Sequence, residues 1–470
     1  MSDRLPRAKR HFAASLERPG MCRFLVAIFI LSLGIRVVMF YALYPAERHG
    51  SAGAYGSVAA SLYLGDGLTT NDTEAGKIES LPNNHTGNYL EFHTDAPRDV
   101  FTEFLPGPPV LLALLWKIIP VYNFAPYILL QCVIDAGLIA LFFFVFARSD
   151  RVLAFAVTGI LILNVAAIKR TLMAGYDFWP QFAVLVTFIG ILKILEEPDR
   201  LWRYFLVGLL TSLTFWFRDL TTFLPFAIAP LVFVYLRKVH TIPTGRTFKR
   251  VLIYLLPVLV SLSLLSLFRY QTTGSYRPTR STFWHSFMVG VCQFSNPYGI
   301  AGTDTSVWRY ARTVNKSLEK LDLNDMYKLP DSPYEETVRR ESFDFIRGHP
   351  WLFARNIVYR IGIMISPLVY RDGDFIPQSW GRILAPLGIL LFLLWFIGLF
   401  TLYRSHSRLF WLSLTIYLYF FAAFGWFYVV GRVILPFLFI NCIVYLYGVE
   451  RIVRYAAAKF GHLHDVPGER

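Results

Sequence analysis

The chain has 470 residues, of which 55% are hydrophobic and only 17% charged, and its mean hydropathy is +0.45. That balance excludes an ordinary soluble domain, because a water-facing surface needs far more polar side chains. The formal charge of +14 does not indicate nucleic acid, because the cations sit in alternate short loops, where they set membrane topology and attract anionic lipid headgroups.

A basic N-terminal segment, 1–23, carries Arg4, Arg7, Lys9, Arg10, Arg18 and Arg23. Apolar runs of spanning length then recur, since about 20 such residues cross ~30 Å of hydrocarbon. The sequence predicts an all-α polytopic membrane protein with ten spans, near 24–43, 126–147, 152–168, 178–196, 204–219, 221–237, 251–268, 382–403, 409–426 and 433–449. The first run is long and leaves through the bulky stretch Met39–Tyr44, which does not suit a cleaved signal peptide. Further basic loops hold Arg148 and Arg151; Arg200 and Arg203; Arg237, Lys238, Arg246, Lys249 and Arg250; Arg404 and Arg408; and Arg451, Arg454 and Lys459. By the positive-inside rule both termini, 1–23 and 450–470, are cytoplasmic. A single transmembrane domain, 24–449, then exposes two large external segments, 44–125 and 269–381.

The short fifth and sixth spans are separated by Arg218-Asp219, which belongs at the external surface or in a cavity, because charge is costly at the bilayer centre. In the second external segment, Glu335–Ile346 has the pattern of a helix lying on a surface. Arg347-Gly348-His349-Pro350 ends it. Trp351–Pro367 reads as an interfacial helix whose Arg355 and Arg360 snorkel toward headgroups. Cys22, Cys132, Cys292 and Cys442 show neither metal spacing nor a disulfide framework. No internal repeat is visible, which argues against a transporter built from two related halves.

Several segments, in order, resemble motifs of polyprenyl-phosphate-sugar-dependent glycosyltransferases, the GT-C superfamily. Tyr55, Ala59 and Gly65-Asp66-Gly67 resemble its Asp…Tyr…Ala…Gly-x-Gly element, and Pro106–Leu115 its Pro-Gly-x-Pro-Leu-Leu-Leu-Ala run. Phe217–Pro225 resembles an Arg-Pro-Thr step between central spans; Phe268–Gly274 with Arg277-Pro278 resembles the Arg-Asn opening of the second external region. Phe345–Pro350 and Gly431–Pro436 resemble the Phe-Ile-x-x-His-Pro and Arg-Tyr-x-x-Pro elements. The bacterial members concerned are like protein mannosyltransferases and lipid A or lipopolysaccharide-core sugar transferases. The resemblance implies a bacterial inner-membrane enzyme acting on the external face. Its donor is a polyprenyl-phosphate-linked sugar, its acceptor an envelope glycolipid or polysaccharide, its surroundings membrane lipids.

One position departs from the family. An Asp stands four residues before the motif Tyr in those enzymes; here it is Ser51, and a neutral hydroxyl is no general base near pH 7. Two replacements stand open. Glu47 lies one helical turn before Ser51; alternatively Asp95, Asp99 and Glu103 repeat at i, i+4, i+8 and could share a helical face. Each of these carboxylates could equally be a solvated loop charge. For the departing phosphate, arginine forks onto oxygens and stays charged; the external candidates are Arg218, Arg269, Arg277, Arg280, Arg360 and Arg432, with Ser51 and Tyr55 completing the substrate site. Some relatives use a divalent metal, though His49, His85 and His93 lack ligand spacing. The rival reading is a protein of the same fold that binds or transports the lipid carrier without catalysis.

Overall fold

The computed structural model describes residues 19–43, 50–70, 89–90, 99–100, 105–147, 151–173, 177–278, 283–294, 296–319, 332–366, 381–426 and 431–461. The protein is an all-α polytopic membrane protein. Among the described residues eight helices are long and apolar enough to cross a bilayer: Met21–Ala42, Ala125–Phe146, Phe178–Glu196, Asp219–Lys238, Thr244–Thr272, Pro386–Ser405, Ser407–Phe424 and Leu435–Ala456. The chain divides into two compact units.

The first unit takes in α1 (Pro19–Leu43), α2 (Gly50–Leu64), most of α3 (Gly107–Ile118), α4 (Ala125–Phe146), α5 (Arg151–Leu163) and α6 (Val165–Leu172). The third expected span is interrupted here. Asn164 accepts from Ala167 N at 2.8 Å and so caps a new helix, leaving α5 with 13 residues, about 20 Å long at 1.5 Å per residue.

Two wholly buried charges tie this unit together. Arg36 of α1 donates Nε to Asp135 Oδ2 of α4 at 2.5 Å and Nη1 to Ser32 Oγ at 2.8 Å. From α6, Thr171 donates to the same carboxylate oxygen at 3.2 Å. In hydrocarbon either ion alone is costly, so the pair fixes which faces of α1 and α4 meet. Elsewhere in the unit, α2 lays Gly56 against the ring of Tyr89, where a Cβ would overlap that ring. Tyr89 N donates to Tyr122 O at 2.9 Å, and its ring packs on Trp116 and Phe124.

The second unit is a hairpin array with two distinguishable ends. It contains α7 (Phe178–Glu196), α8 (Leu201–Leu213), α9 (Leu224–Lys238), α10 (Thr244–Thr273), α11 (Phe283–Val291), α12 (Asp304–Val314), α13 (Pro333–Gly348), α14 (Pro350–Ile365), α15 (Gly381–Ser405), α16 (Ser407–Phe424), α17 (Gly431–Ile434) and α18 (Leu438–Gly461). At one end Arg250 donates to Asp199 at 2.9 Å, His240 Nε2 meets Leu195 O at 2.8 Å, and Arg408 donates to the Tyr235 hydroxyl at 2.8 Å. The α7–α8, α9–α10 and α15–α16 turns therefore lie together, and this is the basic end. Because α9 returns to it, α8 with its following 3-10 turn must travel the full distance away. The fifth expected span corresponds to α8 and this turn; its α-helical part has only 13 residues and is not one of the eight long apolar helices.

Between α10 and α15 the described residues form a small helical bundle. Phe287, Met288, Val307, Tyr334, Val338, Phe345 and Phe353 make its core. The surface helix expected at 335–346 is α13. His349, between Gly348 and Pro350, separates it from α14, as the sequence implied.

We expect the Arg36–Asp135 pair to dominate the stability of the first unit. Asp135→Leu should destabilise the solubilised protein by about 3–5 kcal/mol, because it leaves a buried guanidinium uncompensated, whereas Arg36→Leu with Asp135→Leu should recover most of the loss. Unfolding midpoints of the two single variants and the double variant in one detergent measure this.

Candidate functional site

At the end of the second unit opposite its basic turns, three segments singled out in the sequence meet. Leu105 packs in one apolar cluster with Phe215, Val258 and Leu265, flanked by Trp216 and Phe268. Gly107 is required at this point, because a Cβ would stand 2.5 Å from Trp216 O. Trp216 Nε1 donates to Ser261 Oγ at 2.9 Å and Ser261 Oγ to Ser212 O at 3.2 Å, fixing the turn after α8 to α10. Phe217 stacks on Trp179 at 3.9 Å, and Tyr419 of α16 donates to Leu220 O at 2.8 Å. The Pro-Gly-Pro-Pro run, the Arg-Asp step and the Phe-Arg opening thus converge although about 110 and 50 residues separate them.

Two candidate arginines belong to these segments. Arg218 is half-buried in extended backbone, φ −155° and ψ 136°, between two 3-10 turns. That break places Arg218-Asp219 at the end of the array opposite the basic turns. Arg269 stands one turn before the end of α10, with 3% of its surface exposed; Gly274 ends that helix in the left-handed region at φ 71°. Arg277 follows on an exposed stretch with Nη1 4.0 Å from Glu335 Oε2. Arg432 lies in α17 and its side chain lies outside the described residues, as does all of Arg280.

Arg360 departs from the expected snorkelling. It is fully buried, donating to Gly425 O at 3.0 Å, to Gln293 Oε1 at 3.3 Å and to Gly290 O. Carbonyl oxygens from α11 and from the end of α16 meet a guanidinium fork better than headgroups would, so this side chain clamps the bundle. Arg355 is exposed as expected, 5.6 Å from the Tyr359 ring.

The carboxylate candidates divide. Glu47, Asp95 and Glu103 lie outside the described residues. Asp99 is in the two-residue strand Asp99–Val100, which pairs antiparallel with Thr69–Thr70: Thr70 opposite Asp99 and Thr69 opposite Val100. The helical face proposed for Asp95, Asp99 and Glu103 is therefore not formed at Asp99. Val100, a β-branched residue, suits a strand. Ser51 occupies the first turn of α2, and Tyr55, one turn on, is wholly buried. Among the described residues no group of three or more His, Cys, Asp or Glu could hold a metal ion; His49, His85 and His93 lie outside them.

Sequence reasoning missed a polar line inside the bundle. His285 Nδ1 meets the Tyr334 hydroxyl at 2.5 Å and its Nε2 meets Asp304 Oδ1 at 3.1 Å. His285 was not singled out, because its partners lie 49 and 19 residues away and no local spacing joins them. Nearby, burial and then the hydrogen bond to Glu341 hold the Tyr310 phenol well above its ordinary range. Comparisons of the chain with protein-family models, with curated proteins and with solved structures gave no match.

Gly107→Ala should separate the Pro-Gly-Pro-Pro run from Trp216 while leaving the span helices in place. The expected result is an unchanged helical signal with faster proteolysis at 105–108, read by limited digestion of the purified protein.

Proposed function

We propose that the chain is a membrane glycosyltransferase of the GT-C type. It moves a sugar from a polyprenyl phosphate to an envelope glycolipid or polysaccharide. The observation that carries the reading is the meeting of three motif-like segments around Leu105, Gly107, Phe215 and Leu265, with Arg218 and Arg269 on two of them. In this scheme the acceptor hydroxyl oxygen attacks the anomeric carbon, the bond from that carbon to the phosphate oxygen breaks, and polyprenyl phosphate leaves. A carboxylate takes the hydroxyl proton, and arginines receive the charge that develops on the phosphate. Glu47 is the first candidate base, with Asp95, Asp99 and Glu103 behind it. Ser51, in place of the family's aspartate, supports the rival reading of a lipid-carrier-binding protein without transfer.

The charge distribution supports an orientation with the basic turns cytoplasmic and the far end, with the bundle, outside a bacterial inner membrane. In a Cys22→Ser background, Thr305→Cys should react with an impermeant maleimide in intact cells, and Arg246→Cys only after lysis. The opposite pattern overturns the orientation.

Transfer is tested with purified protein, a radiolabelled polyprenyl-phosphate sugar and envelope lipid. Arg218→Ala and Arg269→Ala should each lower turnover about 100-fold, the scale for losing one donor to developing charge. Glu47→Gln should abolish transfer with donor binding kept; normal transfer in that variant passes the role to Asp95, Asp99 or Glu103. Donor binding without transfer by the unmodified protein establishes the rival.

A further inference from the structure

The bundle between α10 and α15 presents a cleft of about 160 Å³ lined by Arg277, Trp284, Glu335, Glu336 and Arg339. That is well below the ~300 Å³ at which pockets for drug-sized ligands begin, and it suits one small ring. Trp284 is half-buried and packs on Phe343 at 5.0 Å. It therefore lies across the α13 face on which Glu335, Arg339 and Phe343 follow at four-residue steps. The cleft is built on a fixed base. His285, next to Trp284, is hydrogen-bonded to Tyr334, next to Glu335, and also to Asp304. This line ties the first turn of α13 to α11, so the tryptophan and the buried Glu335 are held in register.

The charges decide the class of ligand. Two guanidiniums alone would favour a phosphate, but Glu335 and Glu336 line the same space and repel an anion. Two carboxylates alone would favour a cation, which Arg277 and Arg339 repel. What remains is a neutral molecule rich in hydroxyls, which accept from arginine and donate to carboxylate. Arg277 Nη1 and Glu335 Oε2 are 4.0 Å apart, beyond direct hydrogen bonding. One hydroxyl can bridge that gap with ordinary lengths of about 2.9 and 2.7 Å. An aromatic ring beside such a polar rim supplies an apolar platform for the C–H face of a pyranose.

We propose that this cleft binds a single pyranose residue of a glycan. The inference rests on the transferase reading only for its role, which would be to hold the acceptor glycan. The binding itself is separable and can be measured alone. The full chain in phospholipid nanodiscs, free of sugar-headed detergent, is mixed with the methyl α-pyranosides of glucose, galactose and mannose. Saturation-transfer NMR is the readout. At least one pyranoside should be saturated, most strongly at its ring C–H protons, and inorganic phosphate should not displace it. Glu335→Gln and Trp284→Ala should each weaken binding roughly tenfold. Arg339→Gln, on the exposed rim, gives the same test without touching the core. Absence of saturation for all three sugars overturns the inference, as do binding unchanged in Glu335→Gln and Arg339→Gln and displacement by phosphate. A protein that binds a pyranoside but transfers no sugar upholds the cleft and fails the transferase; transfer without pyranoside binding does the reverse.

Discussion

A bilayer offers backbone and charge no water, and every other feature of this chain answers to that constraint. Backbone groups crossing hydrocarbon must be satisfied within their own segment, which is why the crossings are helical. The two-residue ladder of Thr69–Thr70 with Asp99–Val100 joins segments outside the spanning runs. Ions inside are tolerated only when matched, and the chain uses two kinds of match. In the first unit a guanidinium meets a carboxylate, Arg36 with Asp135. In the bundle of the second unit, where protein packing instead of lipid removes water, Arg360 spreads its charge over carbonyl oxygens of Gly425 and Gly290.

That same constraint sorts the polar chemistry to the two ends of the second unit. The basic turns share contacts such as Arg250 with Asp199, which hold α7, α8, α9 and α10 in a common register. With the near ends so fixed, the far ends of α8 and α10 and the entry to α9 arrive together. The convergence around Trp216 and Phe268 then needs no special attraction between the motif segments. The array delivers them, and Gly107 provides the clearance that lets Leu105 reach the same point.

Span helices were legible because length and hydropathy are local properties, so the runs at 126–147, 178–196 and 409–426 are matched closely by α4, α7 and α16. The turn at Arg218-Asp219 was legible for the same reason, since charge between two apolar runs has few places to go. Sequence could not anticipate the break at Asn164, where one side-chain oxygen captures a backbone donor three residues on. Nor did it anticipate the burial of Arg360, whose acceptors lie 65 and 70 residues away and are backbone atoms without sequence identity. Asp99 misled because a four-residue spacing of acids suggests a helical face only when the backbone is helical. The intervening Pro97 was the cue to the contrary. The pairing of Arg36 with Asp135 was not read either, although each stands as a lone charge inside an apolar run.

The Arg36–Asp135 bond also has a timetable. The two residues are 99 positions apart, so at the ~5–20 residues per second of synthesis the arginine precedes its partner by roughly 5–20 seconds. During that interval α1 must reside in lipid with an unmatched cation. It can do so because Arg36 is seven residues from Leu43 at the end of the helix, about 10 Å at 1.5 Å per residue, within reach of a snorkelling side chain. When α4 arrives, the guanidinium has reason to leave the interface and turn inward. The pair thereby acts as a latch in biogenesis, giving the earlier-made helix a charge that the later helix α4 discharges.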